Sequence, residues 1–250
     1  MLDSIWAGIT GNPENKSDKE IADEMAESKM LFYLTKDLLS CYFKISTIPY
    51  TKMKIRLVLL VAGLIISLSS LAQSWTPAQL NAANTAQHIA SLSKMEKEVI
   101  LYINLCRLFP KDFLRIELRK YEIDSNYEAS YLKAFAAYKK SLEADLLKRV
   151  AADVLKFDEA LYKDARCYST EISHAERKPH ERKDCPPGQY AECISFGLAN
   201  AKDIAMQLLI DAEVPSLGHR MICLDESYHK VGISAGPHFS WQFCAVLEFI

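Results

Sequence analysis

The sequence predicts an α+β fold, in which helices pack on a small, mostly antiparallel sheet. Two observations carry this prediction. Helical periodicities dominate the first part of the patterned region, over residues 93–113, 127–148 and 158–173, whereas the strand signals come late, at residues 230–235 (KVGISA) and 243–249 (FCAVLEF). No repeated strand–helix–strand rhythm is present, which argues against a doubly wound parallel sheet.

Composition bounds the rest. A chain of 250 residues has room for one large domain, or one domain with an extension. Half the residues are apolar and a quarter charged, as in a soluble globular protein. The net charge of -2 gives no electrostatic reason for a nucleic-acid partner, and short basic runs such as Lys139-Lys140 and Arg177-Lys178 read as solvated faces.

Taken in chain order, residues 1–52 hold only a polar helical pattern at 17–30 and an amphipathic one at 30–43. A break follows at Met53. Lys54 and Arg56 form a positive region, an apolar run follows, and Ser70-Leu71-Ala72 supplies a small-x-small site. Counted to Ala72 the apolar stretch is about 16 residues, short of the ~20 that a spanning helix needs. Residues 53–72 therefore read as a secretory signal starting at an internal methionine, with residues 1–52 an uncertain extension from a mis-called start. The alternative is an N-terminal membrane anchor, and membrane contact is expected only through this segment if it stays uncleaved. Secreted or periplasmic location is the expectation. Six of the seven cysteines follow the segment, an even count that fits an oxidising compartment. Cys185 and Cys193 flank a Pro-Pro-Gly turn and are the pair expected to bond. The other reading of these residues is buried free thiols.

Residues 73–91 are polar and alanine-rich and read as a linker to a domain over 92–250. Ser93 with Glu96 gives a capping box, and Met95, Val99, Tyr102, Ile103 and Cys106 repeat at helical intervals until Pro110. Asn104 and Arg107 lie near that face and read as structural hydrogen-bonding groups. The second helix places Leu132, Phe135, Ala136, Leu142, Leu146 and Leu147 on its apolar side, and the third turns Leu161, Ala165 and Tyr168 inward. An irregular charged stretch over 175–190 leads to a short apolar run around Ile194 and Phe196. Asn200 caps a helix to Ile210. Gly236-Pro237 and Ser240 mark the loop between the final strands.

The chemistry concentrates in residues 174–232. His180, Glu192 and His219 are spaced so that a helix and two turns fold them onto one cleft, and imidazole with carboxylate suits a proton, a divalent cation or a polar ligand. His174, at a helix end, reads as a surface residue. Ser216 reads as a turn cap rather than a nucleophile, and no HExxH or GxSxG motif is present.

Several ordered blocks resemble the CAP superfamily (cysteine-rich secretory, antigen 5 and pathogenesis-related proteins), in particular its bacterial members. These are Asn104-x-x-Arg107 ahead of Pro110, Ala191-Glu192-Cys193 with Ser195-Phe196-Gly197, Ser216-Leu217-Gly218-His219-Arg220, and Tyr228-x-x-Val231-Gly232. The resemblance implies a three-layer α-β-α sandwich with a central cleft bearing a His/Glu/Glu/His tetrad. Carried over residue by residue, His180 and His219 are the histidines and Glu192 a glutamate, with Tyr168 where members often place a helical histidine. For the fourth member only Asp211 and Glu213 are near, and Glu213 is the candidate. His180 and His219 are the implied ligands of Zn²⁺ or another divalent ion, with Glu192 available as a base for a metal-bound water. The alternative for the same residues is a buried polar network bracing loops over the sheet. Three functional classes follow: a secreted or periplasmic module binding a lipid, glycan or protein; a metal-dependent hydrolase of peptide or cell-wall material; and a structural envelope protein.

Overall fold

The computed structural model describes residues 74–174, 180–186 and 188–250. The predicted signal or anchor at 53–72, the extension before it with Cys41, the Arg177-Lys178 run and Pro187 of the Pro-Pro-Gly turn lie outside the described residues. No helix among the described residues is long and apolar enough to cross a membrane.

The stretch read as a linker is part of the fold. Thr76 and Gln79 form a capping box with proline at the first turn, and helix α1 (Pro77–Ala83) follows. Ala83 and Ala86 are fully buried in the main core. Helix α2 (Lys94–Leu108) starts at the expected Ser93–Glu96 box, with Ser93 N donating to Glu96 Oε2 at 2.7 Å. Asn104 and Arg107 are wholly buried on it. Asn104 bonds the backbone of Ala83 and Leu155, and Arg107 donates to the carbonyls of Asp153, Cys223, Asp225 and Tyr228. Pro110 opens α3 (Pro110–Phe113), which runs into a π-helical turn (Leu114–Leu118). Helix α4 (Ala129–Lys148) buries Tyr131, Phe135, Leu142 and Leu146. The stripe is rotated from the predicted one, so that Ala136 and Leu147 face outward, because the aromatic Tyr131, packed edge-on to Tyr127, sets the buried side.

Strand β1 (Lys156–Phe157) leads to α5 (Glu159–Ser173), capped by the Asp158 carboxylate at Ala160 N and Leu161 N. Strand β2 (Ala191–Phe196), α6 (Ala201–Ile210) capped by Asn200, α7 (Gly218–Leu224), β3 (Lys230–His238) and β4 (Gln242–Phe249) complete the chain. The sheet order is β1-β3-β4-β2, with β1 parallel to β3 and the other pairs antiparallel. Gly236-Pro237 falls inside β3, not in the loop. Beyond Val231 that strand has lost β1 as a neighbour, so Pro237 opposes Phe243 without leaving a ladder bond unmade.

Strand alternation divides the sheet into two faces. Cys193, Val231, Ile233, Ala245, Leu247 and Phe249 join the main core with α2 and α6, while Ile194, Phe196, Cys244 and Val246 join a smaller core with Ala165, Tyr168 and Ile172 of α5. The fold is thus α+β, with helices on both faces of a mixed sheet. Gly232 fixes how closely α5 approaches: a Cβ there would lie 2.1 Å from Tyr162 N. One cross-strand row on the α5 side reads Glu192, Glu248, Gly232.

Candidate functional site

The irregular segment at 180–186 is tied to the outer side of α5. A disulfide joins Cys167 to Cys185, and the Glu171 carboxylate accepts from the backbone N–H groups of Lys183, Asp184 and Cys185 at 2.7–3.1 Å. The expected Cys185–Cys193 pair is therefore corrected. The sheet itself separates them: Cys185 packs in the α5-side core, whereas Cys193 is a buried free thiol on the opposite face.

This anchoring directs Arg182 inward, where only 6% of its side chain is exposed. The guanidinium contacts Asp164 of α5 at 2.9 Å, Glu192 at 2.5 Å and Glu248, and lies 4.5 Å over the Tyr168 ring. One cation thus serves three carboxyl groups. Contact with Arg182 alone would favour an ionised Glu248, but that side chain is fully buried beside Glu192. Burial, with the neighbouring Glu192 carboxylate, pushes the Glu248 pKa up to about 10. Burial acts on Glu192 too, yet hydrogen bonds from His180, Glu248 and Arg182 outweigh it and hold its pKa below the usual carboxylate range. The two shifts run in opposite directions, as expected where one buried carboxyl of a close pair keeps its proton in preference to the other.

His180 stands at the mouth of this cluster. Its backbone is left-handed (φ 68°), which turns the ring back so that Nδ1 lies 2.6 Å from Glu192 Oε1. Half of the side chain (52%) stays exposed. Together with Arg182, Tyr190 and Glu192 it lines an open depression of about 650 Å³.

His219 is built differently. Asp211 ends α6 in a left-handed conformation (φ 57°), and its carboxylate accepts from the N–H groups of His219 and Arg220, supplying the N-terminal bonds of α7. The same carboxylate takes His219 Nδ1 at 2.7 Å. The residue before α7 is Leu217, which supplies no side-chain cap. His219 lines a recess of about 100 Å³ with Tyr127, Tyr131, Ile194, Gln207 and Glu213. Glu213 bonds Ser130 Oγ at 2.9 Å, and it is Asp211 that holds His219.

The two histidines therefore line different hollows. The hollows abut along β2, because Glu192 borders one and Ile194, two residues on, borders the other. β2 is an edge strand. Gly197 N donates to Phe243 O, so alternation turns the backbone groups of Glu192, Ile194 and Phe196 away from β4. Phe196 O is taken by Tyr127 and Gln207.

Arg182, Glu248 and Asp164 were not singled out from sequence as members of the site, and Asp211 was named beside the fourth tetrad position but passed over for Glu213. The available signal for Glu248 was an acid in phase with Cys244 and Val246 in an otherwise apolar strand. Among the described residues no three His, Cys, Asp or Glu side chains gather as a metal-binding group. Each histidine engages its carboxylate through Nδ1, which leaves Nε2 as the ring nitrogen that could meet a ligand, and a guanidinium fills the centre of the acidic cluster. Set beside known proteins, the chain matches no family model and no curated sequence.

Proposed function

We propose that the chain is an exported, CAP-like binding module whose ligand (a lipid, glycan or protein) lies along the free edge of β2 between His180 and His219. The observation that carries this reading is the arrangement of two His–carboxylate pairs in adjoining hollows on one unpaired strand edge. Outward backbone groups at Glu192 and Ile194 offer hydrogen bonds, and His180 and Arg182 supply polar selectivity at the broad end. The ordered sequence blocks and the helices on both faces of the sheet support a CAP-like scaffold. The pattern over residues 53–72 and the Cys167–Cys185 bond support export.

The test is a thermal-shift screen of the full chain against phospholipid vesicles, oligosaccharides and zinc, wild type beside His180→Ala. A lipid or glycan that raises the melting temperature in wild type, persists with chelator and weakens in His180→Ala supports the module. Stoichiometric zinc binding lost in His180→Ala/His219→Ala, with chelator-sensitive hydrolysis, would instead establish a metal-dependent hydrolase.

A further inference from the structure

Among the described residues four cysteines are free thiols: Cys106, Cys193, Cys223 and Cys244. Cys244 lies in the α5-side core, and the other three share the main core. Two of these three meet where β2 crosses α7. Cys193 Sγ lies 3.8 Å from the carbonyl of His219. Cys223 follows His219 by four residues, one helical turn, so its side chain projects beside that same carbonyl. After burial, the Cys223 thiol is the next contributor to the upward pKa shift of the Cys193 thiol, as expected of close neighbours. Both residues are wholly buried.

We infer that Cys193 and Cys223 are a latent disulfide pair, whose oxidation joins the strand bearing Glu192 to the helix bearing His219. The link would fix the two ends of the β2 edge relative to one another, since each cysteine is adjacent, in strand or helical turn, to one of the two acid–imidazole sites. For its oxidant in the cell the inference rests on the export reading above. The chemistry is thiol–disulfide exchange with a small disulfide of the glutathione class. One cysteine thiolate attacks the small disulfide, whose S–S bond breaks to release one thiol and leave a mixed disulfide. The second cysteine thiolate then displaces the other half. One S–S bond is broken and one formed, the protein loses two electrons, and its two thiol protons end on the two released small thiols.

Burial pushes the Cys193 thiol well above its usual pKa, so attack from the finished core is disfavoured. The bond is therefore expected to form as the chain folds, before β2 closes over α7. Cys106 on α2, also near Cys223, is the competing partner.

The experiment refolds the full chain in a glutathione redox buffer, alkylates free thiols and digests with trypsin without reduction. Cleavage after lysine and arginine isolates Cys167 in peptide 167–177, Cys185 with Cys193 in 184–202, Cys223 in 221–230 and Cys106 in 98–107. The expected product is a single species of three peptides, 167–177 joined to 184–202 and that joined to 221–230. Recovery of 221–230 alkylated at Cys223, or joined to 98–107, would overturn the inference. Failure of the export reading shows separately, as retention of residues 53–72 in the chain recovered from the producing cell, and leaves the cross-link result untouched.

Discussion

The two histidines make the same bond and do different work. His180 and His219 each hold a carboxylate through Nδ1, at 2.6 and 2.7 Å. Asp211 is committed elsewhere, because its second oxygen, Oδ2, also accepts from the N–H groups of His219 and Arg220 at the start of α7. Glu192 instead belongs to a charge cluster with Arg182 and Glu248, in which burial raises the Glu248 pKa while Arg182 contacts both carboxyl groups. Exposure follows the same division, 52% for the His180 side chain and 22% for that of His219. A His–carboxylate pair is thus defined by what else its carboxylate holds. At Asp211 the pair builds the fold, and at Glu192 it stands at a surface that a ligand can reach and perturb.

Removing Arg182 is the most damaging way to break this comparison. Arg182→Ala leaves Glu192, Glu248 and Asp164 under α5 without a cation, and the expected loss of stability is about 3–5 kcal/mol. Urea unfolding measures it. Arg182→Lys restores part of the loss, since an ammonium supplies the charge but not the planar fork that reaches three acids. A loss below about 1 kcal/mol would mean that the carboxyl groups neutralise themselves freely, and the cluster would not be the charge-balanced unit described.

Asp211→Ala tests the other half. The substitution removes two backbone caps and the His219 bond, and places alanine at a left-handed position, so the expected cost is about 2 kcal/mol. Asp211→Asn, which tolerates that conformation and still accepts hydrogen bonds, keeps most of the stability. His180→Ala, by contrast, is expected to cost less than about 1 kcal/mol because its ring is half solvated. Equal costs for Asp211→Ala and His180→Ala in denaturant titrations would erase the distinction between a building pair and a binding pair.

The same division explains what could be read in the sequence. Signals that act within one turn were legible: the Ser93–Glu96 box, the Asn200 cap, the inward Leu161, Ala165 and Tyr168, and the two late strands. The Thr76–Gln79 box was equally local but lay in an alanine-rich stretch without a long apolar stripe, so α1 was read as linker. The Arg182 cluster was not legible, because residues 164, 182, 192 and 248 meet only through strand register and a disulfide. The disulfide expectation failed for a related reason. The Pro-Pro-Gly turn among the seven residues between Cys185 and Cys193 suggested a closed loop, but the pleat of β2 turns Cys193 to the other side of the sheet. His180, Glu192 and His219 were found by residue type, and that they line two hollows rather than one follows from contacts no spacing records.

The finest test concerns the Glu248 proton. Glu248 has its pKa raised to about 10 by burial and by Glu192, well above its value in the unfolded chain. The folded protein therefore holds this proton more tightly than the unfolded one. The stability so gained is full below the ordinary glutamate pKa of ~4.3, and is lost progressively as pH rises from there through about 10. Glu192 has the opposite sign: its pKa is depressed, so its contribution is present above the ordinary value and disappears as pH falls through the folded one. Glu248→Gln keeps a donor toward Glu192 without a titrating group. At neutral pH the variant is expected within about 1 kcal/mol of wild type. As pH rises above about 5 the wild type should lose stability relative to Glu248→Gln, with the acid limb from Glu192 unchanged in both. Parallel urea midpoints for the two proteins from pH 5 to 9 would show that Glu248 is ionised throughout, and that Arg182, rather than a retained proton, neutralises the cluster.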